Sequence, residues 1–192
     1  PLTDTDRARL AVLAYLHDIG KANAGFQGKY WSEPAQRPRG WPGACGHGPE
    51  GWDLVDAWLA GDHLAHQVVA GLPLAVMCDW GDAFIPLLHS SISHHGRPVK
   101  SKGSMVLWRA VSGYDPAQAL TAMDHAIQTQ YPQAFVTDAP ELPNAPAFGH
   151  LFAGLVQLAD WLGSDTRPGF FAYSRPEEIR SKTAPALAEK AL

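Results

Sequence analysis

Cysteine is nearly missing from this chain of 192 residues: only Cys45 and Cys78 occur, and they form no CxxC pair. That excludes a disulfide-dense secreted scaffold and a thiolate metal knuckle. One bridge remains possible, but a reduced cytosolic protein is the simpler expectation, with the cytoplasm as its compartment. No stretch long enough to cross a bilayer is free of charges and turn residues, so no membrane partner is expected. The opening PLTDTDRARL is polar, unlike a signal peptide, and it starts without Met, from which a trimmed start is expected. A GxxxxGK[ST] phosphate loop is missing as well, which excludes a P-loop nucleotide motor within these residues. An excess of positive charge is also lacking: 15 Lys and Arg stand against 19 Asp and Glu, a net charge of -4. Sequence-independent nucleic-acid binding rests on neutralising phosphates, so this balance argues against strong binding of that kind by the domain alone. It leaves open a strand gripped locally or delivered by a partner.

What is present is globular. Hydrophobic residues make up 46% and charged residues 18%, enough for one domain with a substantial core. No segment shows sustained strand alternation, and there is no internal repeat. Helical spacing of Leu10, Leu13, Leu16 and Ile19 predicts a helix over 6–22, with its N-cap among residues 3–6. Residues 24–51 are rich in Gly and Pro and predict a long irregular connection, of the kind that tends to carry function. Further helices are predicted at about 50–60, 64–69, 72–80 and 82–93, the last ending on His94-His95. Asp115-Pro116 opens another, with Leu120, Met123 and Ile127 as its apolar stripe. After a Pro-rich loop over 132–146, residues 148–163 form the most hydrophobic helix, expected to be central. The fold class is therefore all-α, a helical bundle with long Gly/Pro-rich loops. The polar, helix-prone stretch 174–192 reads as a tail or linker, with the main domain spanning 1–173.

The histidines, nine in all, carry the chemistry. His17 lies on the inward face of the first helix, next to Asp18. A buried imidazole beside a carboxylate needs a partner for both, and a divalent cation satisfies both at once. The alternative is a core histidine bonded to a carbonyl, with Asp18 as a local cap. His47 sits between glycines in GHGPEG, where small residues permit close backbone approach; the alternative is a solvated loop residue. His94 and His95 form a pair that is stable when neutral and metal-bound, or else an exposed pair suited to a helix C-terminus. Asp160 lies within the most apolar helix, where an ionised carboxylate requires a cation or several hydrogen bonds. Asp165 is a weaker candidate near the helix end. Together these residues give a His/Asp ligand set without thiolates, suited to one or two divalent ions such as Mn, Fe, Co, Ni or Mg. Asp18 has two oxygens with which to bridge two ions, and such pairs clamp an in-line phosphoryl displacement. Lys21, one turn beyond Asp18, is placed to touch the scissile phosphate; otherwise it is a surface lysine.

The ordered set H-D-x-G-K-A (17–22), G-H-x-x-E-G (46–51), H-H-G-R (94–97) and L-A-D-W-x-G-S-D (158–165) resembles the HD nuclease domain of the CRISPR-associated nuclease-helicase of type I interference systems. The extension HDIGKANAGFQGK is more specific than an isolated HD pair, and the resemblance runs from about Leu10 to Tyr173. It implies an HD-domain helical bundle that cleaves single-stranded DNA with transition-metal ions, as an endonuclease in antiviral defence. It further implies two partners: a superfamily 2 helicase, fused or separate, that feeds the strand, and a guide-RNA surveillance complex that recruits the enzyme. By the same resemblance, His17, Asp18 and Asp160 hold one ion, and Asp18, His47, His94 and His95 hold the other. The family pattern includes a further ligand histidine upstream of the HD pair, and no His precedes His17 here. Either the chain was cut upstream of Pro1 or the first metal site is incomplete. The tail after Tyr173 is expected to be where a helicase would continue.

His63, His66, His89, His125 and His150 are assigned no role in the site. DNA contacts are weakly suggested for Lys29, Arg97, Lys100 and Lys102, with Arg37, Arg39 and Arg109 behind them, and Trp31 and Trp41 are suited to stacking on unpaired bases. Two alternatives to the nuclease reading remain. One is an HD phosphohydrolase of nucleotides or signalling phosphoesters. The other is a catalytically silent docking domain.

Overall fold

A computed structural model describes residues 2–164; Asp165 and the tail at 174–192 lie outside the described residues. Among the described residues there are helices and no β-strand, only an isolated bridge between Val111 and Tyr114. The all-α expectation holds.

The first helix, α1 (Asp4–Tyr15), starts on a capping box. The Thr3 hydroxyl accepts from the Asp6 amide at 3.1 Å, and the Asp6 carboxylate accepts from the Thr3 amide at 2.8 Å. Such a cap contributes about 1 kcal/mol. One continuous helix to Ala22 was expected. Instead the α-helix ends at Tyr15, and Leu16–Ala22 winds as a tighter 3-10 turn with Asp18 out of helical geometry, at φ -101° and ψ 15°. Asn23 closes this turn. Its side-chain amide donates to the Gly20 carbonyl at 2.7 Å, and its backbone amide donates to the same oxygen at 3.2 Å. A side chain that bonds nearby backbone competes with continuation of the helix.

The Gly/Pro-rich connection is less irregular than predicted. It contains α2 (Ala24–Gln27), capped by Asn23 Oδ1, and 3-10 turns at Gly28–Tyr30 and Pro34–Gln36. Arg37 ties its two limbs together, donating to the carbonyls of Pro42 and Gly28 at 3.0 and 3.2 Å. Then follow α3 (Gly48–Leu59), α4 (His63–Val68), α5 (Leu74–Met77), α6 (Phe84–Ile92), α7 (Pro116–Gln130) and α8 (Pro146–Gly163). Asp115 caps α7 as expected, accepting from the Ala117 amide at 2.9 Å.

Two expectations are corrected. The α6 helix stops at Ile92, so His94 and His95 stand in the turn beyond it rather than on its last turn. The His94 amide closes onto the Ser91 carbonyl at 3.2 Å, and Gly96 takes a φ of +80° to redirect the chain. The α8 helix is not central. Only Phe152 and Val156 are buried, while Leu151, Leu155, Leu158 and Trp161 are exposed. It packs one narrow stripe on α6, because apolar composition does not by itself decide which face is covered. The centre is built instead from α1, the 3-10 turn, α3 and α6, through the fully buried Leu13, Leu16, Ile19, Leu54, Leu88 and Ile92.

One buried charge fastens the chain beyond His95. Asp53 on α3 is 1% exposed. Its carboxylate accepts from the Ser101 hydroxyl at 2.8 Å, from the Lys102 amide, and from the Gly103 and Ser104 amides at 3.0 and 2.9 Å. Burial alone would raise its pKa, but these four donors outweigh burial and lower it. A depressed carboxylate contributes stability that is present above the unfolded value near 3.9 and lost as pH falls through the folded one. Asp53→Asn should therefore cost about 1–3 kcal/mol at neutral pH. Thermal melts should show its deficit against wild type shrinking below about pH 4. A deficit independent of pH would contradict this role.

Candidate metal centre

The site depends on two backbones touching. A Cβ built on Gly20 would lie 1.7 Å from the His47 carbonyl oxygen and 2.8 Å from the Gly51 nitrogen. A Cβ on Gly51 would lie 3.0 Å from the Gly20 nitrogen. The 3-10 turn and the start of α3 thus cross glycine on glycine, and no side chain fits between them. Asn23 adds a clamp at this crossing, since its amide also donates to the Gly46 carbonyl at 3.2 Å. This close approach brings His47, from a loop far along the chain, against Asp18.

From the other side α6 is tied to α1 by Ser91, whose hydroxyl donates to the Leu13 carbonyl at 2.7 Å. The turn after α6 then carries His94 and His95 into the same space. His17 Nε2 lies 3.1 Å from Asp18 Oδ2 and 3.6 Å from Asp160 Oδ1. Asp18 Oδ1 lies 3.2 Å from His47 Nε2 and 3.9 Å from His94 Nε2. His47 Nε2 is 3.5 Å from His94 Nε2 and 3.2 Å from His95 Nε2. The structure therefore brings together all of His17, Asp18, His47, His94, His95 and Asp160. Two overlapping groups have ligand atoms close enough to share an ion: His47, His94 and His95, and His17, Asp18 and His94. The second grouping includes His94 and omits Asp160, unlike the arrangement the resemblance implied. Asp160 stands just outside, accepting from the Ser164 hydroxyl at 3.4 Å.

The protonation pattern suits a cation. His17 Nδ1 faces the Ala14 carbonyl at 2.7 Å, and His94 Nδ1 faces the Ser91 carbonyl at 3.1 Å. A carbonyl only accepts, so each Nδ1 carries the hydrogen, and in the neutral ring each Nε2 offers a lone pair to the cluster. Burial lowers the His94 pKa, reinforced by His17 and His95 and only partly offset by Asp18 and the Ser91 carbonyl. For His17, burial acts downward but is outweighed by Asp18, the Ala14 carbonyl and Asp160, which raise its pKa. Burial would push the Asp18 carboxyl up. The adjoining His17, His47 and Lys21 groups overcome it and hold it far below the usual carboxylate range. His17 Nε2 and Asp18 Oδ1 are nevertheless buried without a hydrogen bond. An imidazole lone pair aimed at two carboxylates needs a positive charge between them, supplied by a proton or a metal ion. The donor set, imidazole nitrogens with carboxylate oxygens and no thiolate, fits a borderline divalent ion.

Lys21 pairs with Asp18 Oδ2 and stays 42% exposed at its side chain. Two clefts open beside it. One, of about 320 Å³, is lined by His17, Asp18, Lys21 and Asp160 together with Val156 and Ser164. The other, of about 530 Å³, is lined by Asp18, Lys21, Gln27, Tyr114 and Met123. The cationic side chains suggested for DNA lie elsewhere. Lys29, Arg97, Lys100 and Lys102 are exposed, and none lines either cleft. Lys29 caps the Phe26 ring at 4.3 Å, and Lys102 lies 3.9 Å from Glu50. Arg37 is committed to its loop carbonyls. Among the unassigned histidines, His89 bonds the Val99 carbonyl at 3.0 Å, and His63, His66, His125 and His150 are exposed.

Two positioning residues escaped the sequence reading. Asn23 clamps the crossing, and an Asn preceding a short helix was the available cue, that of an N-cap. Tyr114 donates its hydroxyl to the Ala22 carbonyl at 2.7 Å, which fixes the far end of the turn. Nothing in its sequence surroundings announces that contact. Both thiols, Cys45 and Cys78, are free, and no described helix is long and apolar enough to cross a membrane.

Residues 2–168 match the family model described as Cas3, HD domain. No curated protein and no solved structure matches the chain.

Two outcomes test the assembly. Gly20→Ala should lower stability by about 3 kcal/mol or more, because the clash is with backbone and no side chain can yield; a melting temperature equal to wild type would refute the crossing. Saturating Mn²⁺ or Ni²⁺ should raise the melting temperature of the wild-type chain, corresponding to about 2.7 kcal/mol at a hundredfold excess over Kd. Asp18→Ala should lose most of that rise, and an undiminished rise would place the ion elsewhere.

Proposed function

The chain belongs to the Cas3 HD-domain family, a CRISPR-associated HD nuclease family, and from this premise we propose that it hydrolyses the phosphodiester bonds of single-stranded DNA with one or two divalent ions. The observation that carries the reading is the convergence of imidazole Nε2 atoms of His17, His47, His94 and His95 on the Asp18 carboxylate and on one another at 3.1–3.9 Å. His17, Asp18, His47, His94 and His95 are the proposed ligands, with Asp160 completing the side of His17. Bound there, a divalent ion supplies an acidified water and neutralises charge on the phosphodiester.

The chain's own residues perform the rest. The Ala14 and Ser91 carbonyls hold the His17 and His94 rings in the tautomer that presents Nε2, a use of outer partners common to metal sites. Asp18 stays ionised throughout the neutral range. Lys21 holds its ammonium at the mouth of both clefts, where it meets a phosphate oxygen and offsets the negative charge of the strand. The single-stranded substrate is the one the family likeness suggests, and the ligands sit beside two open clefts with room for a strand. The net charge of -4 agrees with a substrate delivered by partners: a superfamily 2 helicase, fused or separate, and a guide-RNA surveillance complex. Residues 1–173 form the proposed nuclease domain, and its proposed place of action is the cytoplasm.

The test is cleavage of an end-labelled single strand by the purified chain, with Mn²⁺, Ni²⁺, Co²⁺ or Mg²⁺ and with chelator. Cleavage should require metal, and Asp18→Ala should reduce it by at least about a hundredfold. Lys21→Ala should lower kcat more than it raises KM. Hydrolysis of free nucleotides with the polymer left intact would favour a nucleotide phosphohydrolase instead. No hydrolysis with any ion would favour a docking domain.

A further inference from the structure

Four aromatic side chains from three parts of the chain touch in sequence, and the last lines a cleft shared with Asp18. Tyr30 meets Trp31 with ring centroids 5.4 Å apart and planes at 88°. Trp31 meets Trp41 at 4.6 Å and 73°. Trp41 meets Tyr114 at 5.9 Å and 33°. Tyr114 in turn lines the cleft of about 530 Å³ that also holds Asp18 and Lys21.

This run is no ordinary small core. Tyr30, at its outer end, is 86% exposed, and Trp31, Trp41 and Tyr114 are all half-buried. In the two edge-to-face contacts one ring's edge covers a single face of the other, Trp41 and Tyr114 meet at a tilt, and each ring keeps part of its surface exposed. The inner members are also anchored by their polar ends. Trp41 Nε1 donates to the Ser112 carbonyl at 3.0 Å, and the Tyr114 hydroxyl donates to the Ala22 carbonyl. The loop carrying Trp31 and Trp41 is closed on itself by Arg37. A contiguous row of anchored, partly exposed rings offers aromatic surface on its solvent side to a series of unpaired bases.

We propose that Tyr30, Trp31, Trp41 and Tyr114 form a stacking track that binds unpaired bases of single-stranded DNA and leads the strand to Asp18. The track takes a short run, on the order of four nucleotides. It rests on the nuclease reading for its occupant and explains a difficulty in that reading. The net charge is -4, and among the described residues Lys21 is the one Lys or Arg lining the clefts, which gives phosphate contacts little to work with. Base stacking supplies affinity that needs no positive field and is tolerant of sequence.

The experiment measures binding without catalysis. Fluorescence anisotropy of a labelled oligo(dT) of about 12 nucleotides, with the full chain in chelator, gives Kd for wild type, Tyr30→Ala, Trp31→Ala and Trp31→Phe. Tyr30→Ala and Trp31→Ala should each weaken binding at least about fivefold, with melting temperature unchanged for the exposed Tyr30. Trp31→Phe should restore most of the loss, which a purely structural role for the indole would not predict. A duplex of the same sequence, whose bases are already stacked, should bind equally weakly to all four proteins. Equal Kd values for wild type and both alanine variants would overturn the track, as would failure of the wild-type chain to bind the oligonucleotide. The two readings separate cleanly. Metal-dependent cleavage with KM unmoved by Tyr30→Ala and Trp31→Ala sinks the track alone. Ring-dependent binding without cleavage under any ion sinks the nuclease reading alone.

Discussion

Everything at the candidate centre depends on one contact between backbones, the crossing of Gly20 over the start of α3. Asp18 and His47 are 29 positions apart in the chain, and they meet because no Cβ separates Gly20 from the His47 carbonyl or Gly51 from the Gly20 amide. The crossing also explains the local geometry on either side. The α1 helix has to tighten into a 3-10 turn before Gly20, and this tightening takes Asp18 out of helical geometry and toward the imidazoles. Asn23 fixes both strands of the crossing through the Gly20 and Gly46 carbonyls. Such close packing tolerates no intermediate arrangement, since interiors are filled to crystal-like density.

The charges assembled by this crossing are costly unless a cation completes them. Four imidazoles and two carboxylates converge, with His94 buried, His17, Asp18, His47 and Asp160 partly so and His95 exposed, and two buried atoms of the group have no hydrogen-bond partner. The protein arranges the carbonyls of Ala14 and Ser91 to set the tautomers of His17 and His94. Among the described residues it spends no thiolate and one ammonium, that of Lys21, on the cluster. A structural role alone would have been served by apolar packing at lower cost, because buried charge rarely adds to stability over a hydrophobic equivalent.

Most of the centre was legible in the sequence because its residues are chemically conspicuous. His17-Asp18 on a helical stripe, His47 among glycines, His94-His95 before Gly96-Arg97-Pro98 and Asp160 in an apolar helix each require a partner, and the structure gathers them. The caps of α1 and α7 were legible for a similar reason, since Thr3 and Asp115 satisfy backbone donors locally. What could not be read were effects of one segment on another. The 3-10 turn that replaces the end of the first helix is closed by Asn23 reaching back to Gly20. The exposure of Leu151, Leu155, Leu158 and Trp161 follows from which single stripe of α8 meets α6, and hydrophobicity alone assigned that helix to the centre wrongly. The placement of His94 and His95 beyond α6 follows from bonds to Ser91. Asp53, whose four donors come from a loop some fifty residues away, has the local appearance of an ordinary surface acid on a helix.

The central claim is that these side chains form a metal centre, and anomalous diffraction from crystals of the chain grown with Mn²⁺ or Ni²⁺ tests it most directly. The account predicts an anomalous peak at ligand distance, about 2.0–2.2 Å, from His17, Asp18 and His94 or from His47, His94 and His95. Strong metal-bound density elsewhere on the chain, or none at millimolar ion with these rings ordered, would contradict it.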